Sequence, residues 1–279
     1  MSEDLLVLGA GDTRLTISPN LGGRFTSLVV DGHELLVTAG YGPIRWGCYP
    51  MAPFAGRIRD GRFRFRDRDV QLPLNLPPHA IHGTVFERPW TVTGPGALSI
   101  DLGPTWPFPG RVSQQVELTE IGLEATLTLH ADEPMPVAMG WHPWFRRHLA
   151  GTPERPTAPS AGVELAFDAA DMLVRGPDAL PTGALSPPGP HPWDDCFTGL
   201  RAAPRVTWPG HLELELTSTA DYWVVYDEPV EGICVEPQTA PPDFVNLATA
   251  VGREPPFAAA GRPATVSMVW RWRPVSASS

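Results

Sequence analysis

The sequence predicts an all-β protein, a large antiparallel β-sandwich, on three observations. Twenty-seven glycines and 34 prolines are spread along the 279 residues, so few windows could hold a helix of about ten residues. The periodic windows that remain alternate apolar and polar residues, which is the period of a half-buried strand. Many such short windows are separated by turn residues, as in a sandwich. We expect one domain that spans residues 1–279.

The first clear element is a hairpin in the stretch RIRDGRFRF. The pair Asp60-Gly61 between alternating flanks is a strong short-range hairpin signal. Alternation puts Phe63 and Phe65 on one face and Arg62 and Arg64 on the other. We therefore predict that the aromatic face is turned inward.

Further alternation at Leu123 to Leu129, Leu212 to Leu216 and Val266 to Trp272 predicts half-buried antiparallel strands. The stretches VELAF from Val163, YWVVY from Tyr222 and GICVE from Gly232 are predicted as further short strands.

Prolines predict where this regular structure is interrupted. Pro237 lacks an N–H and restricts its neighbour, so the strand that contains GICVE is expected to stop or bend after Glu236. Two stretches rich in Pro and Gly, residues 150–162 and 175–197, are predicted to be long loops. Loops of this length in compact β domains tend to be functional.

Composition disfavours several classes of function. The formal net charge of −10 disfavours nucleic acids and anionic membranes, which are bound by neutralising phosphates with Lys and Arg. No segment approaches the roughly 18 apolar residues of a membrane helix, and the acidic start MSEDLL is unlike a signal peptide. We therefore expect a cytoplasmic protein.

Three cysteines at wide spacing fit reduced thiols better than a disulfide framework or a zinc site.

Two histidines are candidates for chemistry. His142 lies between Trp141 and Pro143, and a partly desolvated imidazole titrates near or below neutral pH, which suits an acid or a base. His82 precedes Gly83, which permits the close approach of a ligand. For either residue the alternative is a structural histidine whose imidazole is hydrogen-bonded to the backbone.

Glu236 is the candidate that packing explains least. Alternation places Ile233 and Val235 on one face of the strand and Cys234 and Glu236 on the other. A cysteine is usually buried, so this face need not be solvated, and a buried carboxylate must be paired or hydrogen-bonded. A solvated strand terminus is the alternative.

Further candidates stand beside these residues. Arg57 belongs to the arginine-rich strand, where a surface role is the simplest interpretation, and Asp194 and Asp195 end the second predicted loop. Flat apolar rings pack well against the C–H face of a sugar, and three tryptophans adjoin the motifs, namely Trp46, Trp141 and Trp144.

Taken together and in order, these motifs resemble the aldose 1-epimerase (galactose mutarotase) family. The similar segments are GRIRDGRF, IHG, HPWF and EPQTAPPDFVN, of which the last is the most specific, and the resemblance spans nearly the whole chain. It implies a β-sandwich enzyme that interconverts the α and β anomers of an aldose and acts on a small sugar, with no cofactor and no metal. We expect a monomer or a homodimer.

The resemblance also implies roles for individual residues. Glu236 is the expected general base and His142 the general acid, the first starting ionised and the second protonated. Arg57, His82 and a loop aspartate are expected to hold sugar hydroxyls, and the spacing to the next aromatic selects Asp194. The residues assigned to substrate binding are Arg57, His82, Asp194, Asp195, Trp141 and Gln238.

The sequence departs from the family pattern near the site. Gly56 precedes Arg57, and Arg146 follows Phe145, where many members have Asn in both places. These departures leave the identity of the sugar undetermined. A cluster of arginines suits an anionic sugar, such as a phosphorylated or sulfonated one, or else keeps an outer face soluble; its members are Arg45, Arg57, Arg59, Arg62 and Arg64.

Two hypotheses from other classes remain. A carbohydrate-binding domain without catalysis would keep the sandwich and the aromatic rings but would need neither proton-transfer group in particular. Alternatively, His82, His142 and Glu236 form a metal site with two histidines and one carboxylate. These three residues lack the short ligand spacing typical of metal sites.

Overall fold

A computed structural model describes residues 5–40, 42–149 and 162–275, and its regular structure is almost entirely β. The stretch 150–161, most of the first predicted loop, lies outside the described residues. The strands are β1 Leu6–Ala10, β2 Thr13–Ser18, β3 Arg24–Val30, β4 His33–Glu34, β5 Cys48–Met51, β6 Arg57–Ile58, β7 Arg62–Phe65, β8 Arg68–Gln71, β9 Ala80–Ile81, β10 Thr91–Gly94, β11 Ala97–Asp101, β12 Gly110–Thr119, β13 Gly122–Ala131, β14 Met135–Pro136, β15 Gly140–Arg146, β16 Glu164–Ala166, β17 Ala169–Arg175, β18 Pro181–Ser186, β19 Asp194–Leu200, β20 Arg205–Trp208, β21 Leu212–Ser218, β22 Tyr222–Tyr226, β23 Gly232–Gln238, β24 Phe257–Ala258 and β25 Ala264–Pro274. The helices are α1 Phe244–Ala250 and two short 3₁₀ turns, Pro19–Leu21 and Arg59–Gly61.

Two large antiparallel sheets form the predicted sandwich. The first has the order β1-β2-β3-β5-β15-β23-β22-β19-β17-β18, with β4 paired to β3, and the second has the order β10-β11-β12-β13-β25-β21-β20-β16. Aromatic side chains of both sheets meet between them: the ring of Trp270 lies 6.5 Å from that of Phe25 and 5.1 Å from that of Phe145. The all-β fold class is confirmed, and the main core lies between the two sheets.

The predicted turn at Asp60-Gly61 exists, but it does not join two paired strands. Both residues have a left-handed backbone, with φ values of 52° and 62°. Beyond the turn, β7 pairs with β8, whereas β6 pairs with β9. The predicted faces are correct, because Phe63 and Phe65 are buried against Trp106 and Phe108. Packing of these aromatics directs β7 away from β6, so the hairpin prediction is wrong in its pairing.

The second predicted loop, residues 175–197, is also partly wrong. It contains β18, which pairs with the outer strand β17, and it ends inside β19. Pro181 occupies the first position of β18, which is where a strand tolerates a missing N–H.

The strand with GICVE does not stop at Glu236. It continues as β23 through Pro237 to Gln238 and lies between β15 and β22. On the β15 side the recorded partners are Gly140 with Gln238 and then Trp144 with Cys234. The ladder is thus interrupted opposite Pro237, which accommodates its missing N–H within a central strand.

The described residues include no helix that is long and apolar enough to span a membrane. All three cysteines are free and buried.

Candidate active site

A cavity of about 290 Å³ lies on the face of the first sheet that is turned away from the main core. Four neighbouring strands, β15, β23, β22 and β19, form its floor. As alternation predicted, Ile233 and Val235 belong to the main core, and Cys234 belongs to a separate cluster on the opposite face of β23. Glu236 lines the cavity on the face of Cys234.

His142 and Glu236 meet at the base of this cavity. The register of β15 and β23, set by the pairs of Gly140 with Gln238 and Trp144 with Cys234, places His142 opposite Glu236. The His142 Nε2 atom lies 3.2 Å from the Glu236 Oε1 atom, and the side chains are only 7% and 3% exposed. No backbone bridge joins β15 and β23 between these two pairs. His142 and Glu236 contact each other in this gap of the ladder.

Aromatic rings hold the imidazole of His142 in place. Tyr49 stacks on it at a centroid distance of 4.9 Å and Trp144 at 5.6 Å, while His82 meets it edge-on at 4.9 Å. Tyr49 Oη and Trp144 Nε1 both donate hydrogen bonds to the carbonyl of Ile44. One backbone carbonyl therefore anchors two of the rings that position the imidazole.

Glu236 is positioned by Gln238. The Gln238 Nε2 atom donates a hydrogen bond of 3.1 Å to Glu236 Oε2, which leaves Oε1 for His142. Gln238 is fully buried, and among the described residues its Oε1 atom has no hydrogen-bond partner. This residue therefore orients the carboxylate of Glu236.

Burial drives the charges of the central pair toward neutrality. Desolvation raises the pKa of Glu236 well above 4.5, and the neighbouring Asp194 adds to this effect. Desolvation lowers the pKa of His142, with contributions from the positive charges of Arg24 and Arg57. Arg24 is 2% exposed, and its guanidinium lies over the ring of Tyr49. Both shifts favour the neutral carboxyl and the neutral imidazole, a pair that holds one dissociable proton.

The raised pKa of Glu236 predicts a pH-dependent stability. From about pH 4.5 up to the raised pKa, the folded protein keeps a proton that the unfolded chain has released. The free energy of unfolding therefore falls as the pH rises through this interval. We expect Glu236→Gln to gain stability relative to the wild type by up to about 1.4 kcal/mol per pH unit there.

Urea unfolding of both proteins at several pH values measures this difference. The lowered pKa of His142 adds stability as the pH rises toward 6.5, and this contribution is common to both proteins. A stability difference that is constant with pH would contradict the prediction.

The small sheet of β6 and β9 carries Arg57 and His82 to the other side of the cavity. The His82 N–H donates to the Gly56 carbonyl at 2.8 Å, and Arg57 is paired with Ile81. His82 is buried and has φ of 58°, and among the described residues its Nδ1 atom has no hydrogen-bond partner. Both residues line the cavity with Glu236.

The end of the EPQTAPPDFVN segment holds Arg57 in position. The Asp243 N–H donates to the Arg57 carbonyl at 2.6 Å, and Asp243 Oδ1 accepts hydrogen bonds from the Arg59 N–H and from Asn246 Nδ2. Burial raises the pKa of Asp243, while these hydrogen bonds and Arg59 favour its ionised form. Asp243 and Asn246 thus connect the segment that contains Glu236 to the segment that contains Arg57.

The structure separates the two loop aspartates. Asp194 lines the cavity and pairs in register with Tyr226, which lines it too. Asp195 pairs with Val225, which packs in a different apolar cluster, and it does not belong to the cavity wall. Both carboxylates contact Arg175, at 3.2 Å and 2.9 Å. Asp195 therefore supports Arg175 from outside the cavity.

Trp141, predicted to bind substrate, does not line the cavity. It is fully buried in the main core, and its Nε1 atom donates a hydrogen bond to Gln114. Trp144 lines the cavity instead. His142 and Trp144 are two residues apart, so they share one face of β15 while Trp141 occupies the other.

Two members of the predicted arginine cluster line the cavity and three do not. Arg45 and Arg57 line the cavity, whereas Arg59 pairs with Asp178 and Asp243, and Arg62 and Arg64 bond to Gln71 and Asp69 outside it. Arg175 in the cavity wall and Tyr49 against His142 were not predicted from the sequence. Their neighbours in the site are distant in sequence, and no local pattern marks either residue.

Comparisons with known proteins agree with this architecture. The family profile described as aldose 1-epimerase matches residues 4–252. The uncharacterized protein YphB of Escherichia coli K12 is 27% identical over 218 residues, which are 70% of this chain and 74% of YphB.

Solved structures share the fold. A putative aldose 1-epimerase from E. coli K12 has a TM-score of 0.79 at 21% identity and covers 97% of this chain and 99% of its own. A galactose mutarotase-like protein from Clostridium acetobutylicum has a TM-score of 0.83 at 17% identity and covers 96% and 94%. Galactose 1-epimerase from Lactobacillus acidophilus has a TM-score of 0.76 at 15% identity, with the same coverage.

Proposed function

The chain belongs to the aldose 1-epimerase family, and from this premise we propose that it interconverts the α and β anomers of an aldose by acid–base opening and closure of the ring. The observation that carries the proposal is the distance of 3.2 Å between His142 Nε2 and Glu236 Oε1 at the base of an open cavity. The two oxygens that exchange protons in a cyclic aldose are bonded to the same carbon, C1. An acid and a base that act on them must therefore be neighbours.

The reaction needs two proton transfers. Glu236 removes the proton of the anomeric hydroxyl while His142 protonates the ring oxygen, the bond between C1 and the ring oxygen breaks, and an aldehyde forms. Rotation about the C1–C2 bond and closure with the roles reversed give the other anomer. Each transfer contributes roughly 10²- to 10⁴-fold to the rate.

The protonation state of Glu236 and His142 suits this step. Burial favours the neutral carboxyl and the neutral imidazole. The reactive form, with Glu236 ionised and His142 protonated, contains the same number of protons. Moving one proton from Oε1 to Nε2 converts one form into the other, so the pair exchanges no proton with solvent before it reacts.

The surrounding side chains supply the groups that a polyhydroxylated ring requires. Arg57 and His82 on one wall, and Asp194 and Gln238 on the floor, present donors and acceptors within one cavity. The ring of Trp144 offers an apolar surface for the C–H face of the sugar. We propose these residues as the substrate-binding set, without Trp141 and with Asp195 acting through Arg175.

A second candidate function is epimerisation of an acidic sugar. Among the described residues, three arginines line the cavity, namely Arg45, Arg57 and Arg175. Arg45 and Arg175 pair with carboxylates, but among the described residues no carboxylate lies within 4.0 Å of Arg57. An unpaired guanidinium in a cavity favours a phosphate or sulfonate group on the substrate.

Proton NMR of freshly dissolved α-glucose, α-galactose and α-glucose 6-phosphate tests both candidates. We expect the protein to accelerate the approach to anomeric equilibrium for at least one sugar, relative to heat-denatured protein in a dilute buffer that is itself a poor proton-transfer catalyst. Acceleration confined to the phosphorylated sugar would support the second candidate. Binding of these sugars without any acceleration would contradict catalysis and identify a carbohydrate-binding domain.

A further inference from the structure

Three different metal-binding side chains lie close together at the base of the cavity: His142 and Glu236 line it, and Cys234 is buried beside them in the apolar cluster that contains Tyr49 and Trp144. The ligand atoms of His142, Cys234 and Glu236 all lie within 4.8 Å of one another, and all three residues are buried. Alternation puts Cys234 and Glu236 on one face of β23, and the register with β15 brings His142 to them. The metal site suggested by residue types alone consists of His82, His142 and Glu236. In the structure, Cys234 takes the place of His82 in this group.

The chemistry of the three donors suits a thiophilic divalent cation. Zn²⁺ is bound in proteins by thiolate sulfur, imidazole nitrogen and carboxylate oxygen, commonly by three such side chains with a fourth position left for water. A neutral imidazole, a thiolate and a carboxylate around Zn²⁺ sum to zero charge. A neutral complex avoids the cost of burying an isolated ion.

Gln238 provides a second, independent observation. Its side chain is 0% exposed, lines the same cavity and hydrogen-bonds Glu236 through Nε2, while among the described residues its Oε1 atom lacks a partner. Acceptors beside the ligands orient metal-bound water and the ligating groups in many sites. Gln238 is placed to do both.

We propose that His142, Cys234 and Glu236 form an inhibitory site for Zn²⁺ or a cation of similar chemistry. The cation takes the lone pairs of His142 Nε2 and Glu236 Oε1, so neither atom can exchange a proton with a sugar. Binding releases the proton of Cys234 and the proton shared by the other two residues to solvent. The inhibitory effect rests on the proposed epimerase function, whereas binding of the cation does not.

The test uses the full chain without an affinity tag, first stripped of metal with a chelator. Zn²⁺ alone is titrated against the protein in competition with a chromophoric chelator, and Co²⁺ is used as a second probe because its bond to a thiolate absorbs light. We expect one equivalent to bind, a cobalt–thiolate absorption, and inhibition of anomer interconversion that a chelator reverses.

Two cysteine variants locate the site. Cys234→Ala removes one direct ligand and is expected to weaken Zn²⁺ binding by about 100-fold or more, since loss of even an outer-shell partner costs roughly 10- to 100-fold. Cys196→Ala is the matched control, because Cys196 is a buried thiol like Cys234 and lines the cavity, but is not one of the three ligands. It should bind Zn²⁺ like the wild type.

The proposal is overturned if the wild type does not bind Zn²⁺, if Cys234→Ala binds it as tightly as the wild type, or if Cys196→Ala loses binding instead. Where Cys234→Ala fails to fold, wild-type protein that binds Co²⁺ without thiolate absorption overturns it equally. Zinc binding by a protein that accelerates anomer interconversion of no sugar would contradict the proposed epimerase function, but it would support the metal site.

Discussion

Replacing Glu236 with glutamine is expected to slow anomer interconversion by about 10²- to 10⁴-fold, the contribution of one positioned proton-transfer group. The amide keeps the shape of the carboxyl group, and it can turn its oxygen toward Gln238 Nε2 and its NH₂ group toward His142 Nε2. Fold and sugar binding should therefore be retained. The rate is measured by NMR with a sugar that the wild type accepts, and binding by calorimetry.

The control is Glu215→Gln. Glu215 lies in β21 of the second sheet and pairs with Arg205 at the surface, where such a pair contributes at most about 1 kcal/mol. This variant should match the wild type in rate. Full activity of Glu236→Gln would remove Glu236 from the mechanism, and a parallel loss of sugar binding would indicate a binding role in its place.

Replacing Gly83 with alanine is expected to lower the free energy of unfolding by about 3 kcal/mol or more. Gly83 has φ of 83°, and an added Cβ would lie 1.9 Å from the carbonyl oxygen of Ala52. That oxygen accepts the hydrogen bond of the Thr84 N–H at 2.9 Å and belongs to backbone that cannot rotate away. Relief of the clash must shift the adjacent His82, so sugar affinity should fall as well.

Gly252→Ala separates this clash from the general strain of a left-handed backbone. Gly252 has φ of 68°, and no described atom beyond its chain neighbours lies within 4 Å of the position that an added Cβ would occupy. The expected cost is therefore only about 1–2 kcal/mol. Denaturant unfolding of both variants and sugar titration of Gly83→Ala test the comparison. Equal destabilisation of the two variants would contradict a steric role for Gly83.

Much of the fold follows from local pattern. The strands that alternation predicted at Leu123, Leu212 and Val266 are present as β13, β21 and β25, and the predicted short strand at Tyr222 is β22. Alternation also assigned the two faces of β23 correctly. Alternation along the segment WHPW also puts His142 and Trp144 on one face and Trp141 on the other. The placement of Trp141 away from the face of His142 could therefore have been predicted from the sequence.

Other parts of the site had little or no local signal. Asp194 and Asp195 differ by one position in β19; the family resemblance favoured Asp194, and the structure places Asp194 in the cavity wall. The contact of Arg175 with both aspartates, and the stacking of Tyr49 on His142, join segments that are distant in the chain. Strand pairing is a non-local choice, since many registers satisfy the same alternation.

The amino-acid sequence alone therefore determined the all-β class, the inward and outward faces of most strands, and the residue types able to exchange protons. Those properties depend on the period of two along a strand and on intrinsic side-chain chemistry. The tertiary structure alone decided that His142 stands 3.2 Å from Glu236, that Cys234 joins them, and that β7 turns away from β6. These outcomes depend on the register between strands far apart in the chain, which packing of the two sheets selects and no local pattern encodes.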